Sequence, residues 1–408
     1  MSDVRMRGFR ERADVDEVLK LIDLRVRHLA AESVALVEAG GRVLARDVVS
    51  ETDVPGFRRA AMDGYAVKAE ETFGATPDDP RPFRVAGTSM PGREPDAAVE
   101  AGSCVRIMTG APMPEGADAV VPAEEADVAE SAVRVRAPAT PGKNVGEVGE
   151  DVRAGALVLR AGRRLRPQDL GVLASIGVKQ PMCVRKPKVA ILVTGNELLP
   201  AGERPTGCRI ADANSPMLVD LVRRDGGTPL TGPIVPDDRA AVREALEVSL
   251  RDADCVLGSG GSSVGTEDHL PSLVEEMGEL PVHGVAMRPS SPAGLGFVAK
   301  KPVFLLPGNP VSCLCAYDFF AGRAIRRLAA RHPDWPYTRV RMPLARKIAS
   351  QLGRTDYVRV RIEEGKVVPL AIRGAAILTS TTRAHGFLVV ERDLEGYAEG
   401  ETVAVFLY

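Results

Sequence analysis

Three times between Lys186 and Leu328, a short run of apolar residues breaks off into a loop of Gly, Pro or Asn, and helical spacing follows. KVAILV runs into Thr194-Gly195-Asn196-Glu197, DCVLG into Ser259-Gly260-Gly261-Ser262-Ser263, and VFLL into Pro307-Gly308-Asn309-Pro310. A strand that stays apolar along its length has no solvent face. It belongs in a sheet covered by helices on both sides, and such sheets are typically parallel. The spacing predicts helices over 217–224 and 240–250 and a long helix through Leu314, Ala321, Ile325 and Leu328. The fold class expected is therefore multidomain, built around a parallel-sheet α/β domain, because 408 residues exceed one ordinary core.

The flanking segments read differently. Asp14 and Glu17 have capping-box spacing, and Val15, Val18, Leu19, Ile22, Val26 and Leu29 continue one amphipathic opening helix. From Arg42 to about Gly162, short β-prone runs alternate with Pro and Gly clusters, which predicts a mixed β domain. A short helix is expected over 169–177. Pro333 and Pro336 mark a linker, and VRMPLA, YVRVRIE, FLVVER and TVAVFLY then predict a small C-terminal β domain.

Composition narrows the partners. A formal charge of -2 gives no field for polyanions, so neither nucleic acid nor an anionic membrane is expected. The first residues lack a secretory apolar stretch, and no apolar run of about eighteen residues occurs, which makes the cytoplasm the expected location. The six cysteines show no zinc or redox spacing and are expected as buried thiols; Cys313 and Cys315 fall on different faces of a helix.

In open α/β sheets, ligands collect at the carboxyl ends of strands. The candidate substrate-binding residues there are Thr194, Gly195, Ser259, Gly260, Gly261, Ser263, Pro307, Gly308 and Asn309. Asn309 suits an N-cap and Pro310 a first helical turn, an arrangement that leaves backbone N–H groups for an anion. Glu197, Asp237 or Asp238, and Asp268 would crowd negative charge beside a phosphate, which a hard cation such as Mg²⁺ would relieve. Each feature has a plainer explanation. Turns need Gly, Pro and Asn for conformation alone, and Asp238 and Asp268 both fit as helix caps.

AAMDGYA (60–66), RIMTGAPMPEGADAVV (106–121), GED (149–151), TGNEL, SGGSSVG with Asp268, LPGNPVS and GRTDY (353–357) stand in one order. In that order they resemble the MoeA and gephyrin E-domain family over essentially the whole chain. The resemblance implies a molybdopterin molybdenumtransferase that uses Mg²⁺, with molybdate and adenylylated molybdopterin as substrates. It implies an elongated homodimer, divided into 1–52 with 152–185, an inserted mixed β domain at 53–151, the α/β domain at 186–332 and the C-terminal β domain at 333–408. Other molybdenum-cofactor biosynthesis proteins are further candidate partners.

Carried over by motif, Asp63, Thr109, Glu197, Asp237 and Asp268 take the catalytic roles, the last three as metal ligands, and Asp151 belongs to the substrate site. The oxyanion pocket would comprise Arg288, Ser291, Pro292, Ser312, Arg354 and Ser380. The chain departs from the family where a KPGKP segment is usual, reading Arg288-Pro289-Ser290-Ser291-Pro292. Arginine keeps the first charge; nothing nearby in sequence replaces the second. A gephyrin-like dimeric scaffold, or a paralogue with an altered oxyanion site, is the alternative expectation.

Overall fold

The computed structural model describes residues 12–129, 132–261, 268–371 and 374–408. The chain forms two compact units. One comprises the chain up to Ser33, Gly41–Ala45 and Met182–Tyr408; the other comprises Val34–Gly40 and Arg46–Pro181.

The first unit is built on a six-stranded sheet in the order Thr228–Thr231, Lys188–Val193, Cys255–Ser259, Lys301–Leu306, Gly294–Val298, Glu279–His283. The apolar strands do lie between two helical layers. Val189, Ile191 and Val193 face one core with the Asn214–Arg224 and Val15–Arg25 helices, while Ala190 and Leu192 face another with the Arg239–Asp252 and Leu270–Met277 helices. Only the first four strands pair in parallel, however, and the last two pairings, on either side of Gly294–Val298, are antiparallel, so the expected parallel sheet is a mixed one. The reason is a hairpin that the sequence disguises. Ala299 and Lys300 join two strands with φ of 48° and 67°, a turn that ordinarily announces itself by Asn-Gly.

The opening helix carries the expected capping box, with the Asp14 N–H donating to Glu17 Oε2 at 3.0 Å. It stops at Arg25, before the end of its apolar pattern. Val26 continues in extended conformation and is 2% exposed, so its burial is tertiary rather than helical. The long helix spans 310–328 and passes through a π-helical turn at Tyr317–Ala321. It is buried nearly all round, as an enclosed helix should be.

The C-terminal strands form the sheet Met287–Arg288, Thr355–Glu363, Gly386–Val390, Thr402–Leu407, Thr338–Pro343, with Lys366–Ala371 also pairing Thr355–Glu363. Its first strand comes from the α/β segment, which ties the two sheets together. The linker at Pro333 and Pro336 is itself packed. Trp335 stacks edgewise on Phe319, Phe387 and Phe406 at centroid distances of 4.9, 5.3 and 4.7 Å, and its Nε1 donates to the Asp318 carbonyl at 2.8 Å. Beneath it, Arg224 bridges Asp225 and Asp318, both 0% exposed, at 2.9 Å each, and burial raises the Asp318 carboxyl above its usual range.

The second unit contains a six-stranded mixed sheet in the order Ala119–Pro122, Gly64–Val67, Ser103–Ile107, Arg81–Ser89, Ala132–Val135, Ala126–Ala129. Gly64, next to Asp63, is required by close approach: a Cβ there would lie 1.9 Å from the Val121 carbonyl oxygen. The short helix runs Pro167–Ser175, slightly earlier than expected, because Pro167 takes the first helical position. Among the described residues, no helix is long and apolar enough to cross a membrane.

Trp335 is the only tryptophan and sits where linker, long helix and C-terminal sheet meet. Trp335→Ala should destabilise this unit by about 3–5 kcal/mol, and Trp335→Phe by clearly less. Equal urea midpoints for wild type and Trp335→Ala would remove the junction from this account.

Candidate active site

Parallel register pairs Val193 with Ser259 and Ser259 with Leu306, so the three strand-end loops begin in one row. They surround a cavity of about 600 Å³. Thr194, Gly195, Glu197, Asp237, Ser259, Gly260, Gly261 and Asp268 line it, with Pro292, Pro307, Gly308 and Asn309. The structure thus brings most of the candidate residues of this sheet together. Ser263 lies outside the described residues. Gly260 is fixed by geometry: its φ is +89°, and a Cβ would lie 2.3 Å from the Thr194 carbonyl oxygen.

The acidic residues separate by role. Asp238 caps the Arg239–Asp252 helix, accepting from the N–H groups of Ala240 and Ala241 at 3.0 and 2.9 Å. Asp237 lines the cavity and accepts from the Asn196 N–H at 2.9 Å, while its own N–H donates to Asn196 Oδ1 at 3.2 Å. Before the Leu270–Met277 helix the N-cap position belongs to His269, one residue beyond Asp268. Among the described residues, no three His, Cys, Asp or Glu side chains form a group that could hold a metal ion. Glu197, Asp237 and Asp268, the expected metal ligands, all line this one cavity, and Asp237 is in part committed to the Asn196 loop.

Asn309 is the N-cap and Pro310 the first residue of the helix, as the sequence indicated. The expected free N–H groups are fewer. Pro310 has none, and the Val311 N–H is taken by the Ala375 carbonyl at 3.0 Å.

A second cavity of about 340 Å³ adjoins the first, sharing Pro292, Pro307 and Asn309. Arg288, Ser291 and Ser312 line it, together with Ser290 and Arg359. Ser290 has φ of +87°, and its Oγ donates to the Ser312 carbonyl at 2.5 Å. Ser291 Oγ is buried without a partner among the described residues. Arg354 and Ser380 line neither cavity. Arg354 pairs with Asp356 at 3.1 Å, and Ser380 Oγ is turned back to the Ile377 carbonyl at 2.5 Å.

In the other unit, Asp63 accepts from the Thr109 N–H and from Thr109 Oγ1, both at 2.7 Å. These two bonds hold its carboxyl below the ordinary carboxylate range. Asp151 is exposed, and its N–H donates to the Val54 carbonyl at 3.0 Å. The expectation for the cysteines agrees with five buried thiols, Cys208 alone being exposed, and burial pushes Cys313 up to about 12.

The chain is matched by the family descriptions MoeA N-terminal region (domain I and II) over residues 13–177, probable molybdopterin binding domain over 190–327, and MoeA C-terminal region (domain IV) over 341–408. Molybdopterin molybdenumtransferase 2 of Mycobacterium tuberculosis is 35% identical to it over 404 residues, covering 96% of this chain and 98% of that one. The chain belongs to the MoeA family. A putative molybdopterin biosynthesis protein of Methanocaldococcus jannaschii is also 35% identical, over 95% of both chains. Two solved structures of the molybdopterin biosynthesis MoeA protein of Pyrococcus horikoshii agree with the fold at TM-scores of 0.83 and 0.79. Their identities are 32% and 34%, over 97% and 98% of this chain and 99% and 100% of theirs.

Two residues of this MoeA-family site escaped the sequence reading. Arg359 sits in YVRVRIE, where alternation suggests that the arginines face solvent. The structure instead turns Tyr357 and Arg359 toward the α/β core, and burial lowers the Arg359 guanidinium below its ordinary value. Asn214 joins two loops, since Nδ2 donates to Ser259 Oγ at 2.9 Å and to the Gly308 carbonyl at 2.8 Å. A carbonyl can only accept, which fixes the amide orientation and leaves Oδ1 buried without a partner among the described residues, on a side chain that lines the larger cavity. Only the ADANSP segment itself could have hinted at it.

Asn214→Ala should strand the Gly308 carbonyl and loosen both loops, lowering stability by about 1–3 kcal/mol. Asn214→Asp should do no better, because a carboxylate beside that carbonyl repels it. Thermal melts of the three proteins measure this, and a variant as stable as wild type would refute the tie.

Proposed function

We propose that this chain inserts molybdenum from molybdate into adenylylated molybdopterin, with release of AMP, as a cytoplasmic homodimer. The observation that carries the reading is the pair of adjoining cavities, one polar and acidic at the strand ends, the other carrying Arg288 and Arg359. A pterin nucleotide with a phosphate bridge suits the first, and a small tetrahedral oxyanion suits the second. The curated relatives named molybdopterin molybdenumtransferase support the same reading at 28–35% identity over most of the chain.

The donor set fits Mg²⁺. Three carboxylates lining the cavity supply hard oxygens, and Mg²⁺ at a phosphate takes only one or two protein carboxylates, with substrate oxygens and water completing the shell. One or two of Glu197, Asp237 and Asp268 would hold it, and when bound it supplies positive charge that stabilises the phosphate oxygens of departing AMP. The chain's own residues do the rest. Gly260 and Gly261 let backbone approach the ligand, Asn214 fixes the loop spacing, and the guanidinium groups of Arg288 and Arg359 hold the oxyanion beside the pterin. Asp63, kept ionised by Thr109, is proposed to complete the site of the partner subunit.

Expression of this chain in a strain lacking its molybdenumtransferase should restore nitrate reductase activity. Asp63→Asn and Glu197→Gln should each fail alone and recover part of the activity when coexpressed, because a mixed dimer keeps one intact site. No recovery in verified mixed dimers would exclude action across subunits, and no rescue by the wild type at any molybdate level would exclude the reaction.

With purified protein and adenylylated molybdopterin, AMP release should stop on adding a strong chelator and return with excess Mg²⁺. Glu197→Gln should raise the Mg²⁺ needed for half-maximal release without changing the melting temperature. Undiminished release under chelation would end the metal role of these carboxylates.

A further inference from the structure

The oxyanion reading leaves Arg354 without a place, since Arg288 and Arg359 line the smaller cavity and Arg354 does not. Arg354 and Arg288 share one carboxylate instead. Asp356 is 0% exposed, pairs with a terminal nitrogen of Arg288, and lies with Oδ1 3.1 Å from Arg354 Nε. Ser350 Oγ donates to Asp356 Oδ2 at 2.7 Å. Backbone pairing sets this geometry, because Met287–Arg288 runs parallel to Thr355–Glu363 with Arg288 opposite Asp356. Arg288 still has a buried donor to spare, its Nε being without a partner among the described residues.

A buried carboxylate cannot be left without a cation at small cost. A lone Arg288–Asp356 pair would be a neutral dipole with little attraction for a dianion, and turning Arg288 toward an anion would strand Asp356. We infer that Arg354 is a positioning residue: by neutralising Asp356 from outside the cavity, it frees the charge of Arg288 for a doubly charged tetrahedral oxyanion. The guanidinium groups of Arg288 and Arg354 against the one carboxylate of Asp356 leave a net positive charge at the cavity wall, where Arg359 also stands. This inference rests on the oxyanion reading of the smaller cavity.

Equilibrium dialysis of the full chain against molybdate, and against perrhenate as a tetrahedral anion of single charge, tests it, with melting temperatures recorded alongside. Wild type should prefer molybdate. Arg354→Met should weaken molybdate binding by about tenfold or more and perrhenate binding much less. Arg354→Lys should keep most of the preference. The double variant Arg354→Met/Asp356→Asn should recover it, since the carboxylate that needed neutralising is gone. Unchanged molybdate affinity in Arg354→Met, or an equal loss for both anions with no recovery in the double variant, would overturn the positioning role while leaving the oxyanion site standing. A wild type that binds neither anion would overturn the oxyanion reading and this inference with it.

Discussion

The parallel register that sets Val193, Ser259 and Leu306 side by side is the constraint on which the larger cavity depends. Side chains alternate along a strand, so a slip of one residue would send Ile191 and Leu257 from one core to the other and reverse both layers at once. Because both faces are buried, the apolar pattern resists that slip. Once the strand ends are level, the loops must pass close to one another, which accounts for Gly260 against Thr194 and for the Asn214 tie between Ser259 and Gly308. The site's precision is therefore inherited from core packing rather than assembled by the loops themselves.

The C-terminal sheet is fixed to this core by charges that a simple hydrophobic account would not place there. Asp225, Asp318 and Asp356 are each 0% exposed and each paired with arginine. Buried pairs add little net stability, because desolvation cancels most of the attraction, but losing one partner costs about 3–5 kcal/mol. Such pairs act as positional locks. Arg224 connects the end of its helix to Asp318 on the long helix and to the Tyr337 hydroxyl, so the first residues after the linker have one allowed place. The Trp335 cluster supplies the apolar half of that junction. Cavity walls contributed by Arg359 on one sheet and by Arg288 on the connecting strand need this rigidity to stay aligned.

Much of this was legible in the sequence where a pattern had one physical meaning. Continuously apolar strands can only be buried, and the strands of KVAILV, DCVLG and VFLL lie where that rule puts them. The capping box at Asp14 and the Asn309-Pro310 helix start were equally direct. Patterns with two meanings misled. Ala299-Lys300 is a hairpin turn without turn residues, which hid the antiparallel edge of the sheet. YVRVRIE reads as a half-exposed strand, yet the face carrying Arg359 meets the α/β core. Arg354 was legible as part of a motif, whereas its distance from the cavity could only come from tertiary pairing with Asp356. Asp238 already fitted a helix cap in the sequence, and its bonds to the Ala240 and Ala241 N–H groups leave Asp237 as the one that lines the cavity.

At Ser290-Ser291 a left-handed loop residue is held by a hydroxyl rather than by the freedom of glycine. Where the motif this segment resembles would have glycine, Ser290 has φ of +87°, a conformation that costs an ordinary side chain about 1–2 kcal/mol. The hydroxyl bond to the Ser312 carbonyl offsets part of that cost and also ties the loop to the long helix. The next residue loses an ammonium group and gains a small hydroxyl, so the cavity surrenders a flexible charge. What remains is positive charge on Arg288 and Arg359, whose planar groups are held by strand pairing and burial rather than by long free stems. A fixed guanidinium gives up less conformational entropy on binding than a mobile lysine does. Under the proposed oxyanion reading, holding the anion therefore falls to the strands rather than to the loop, and the ion pairs behind those strands, Asp356 above all, become part of the site's electrostatics.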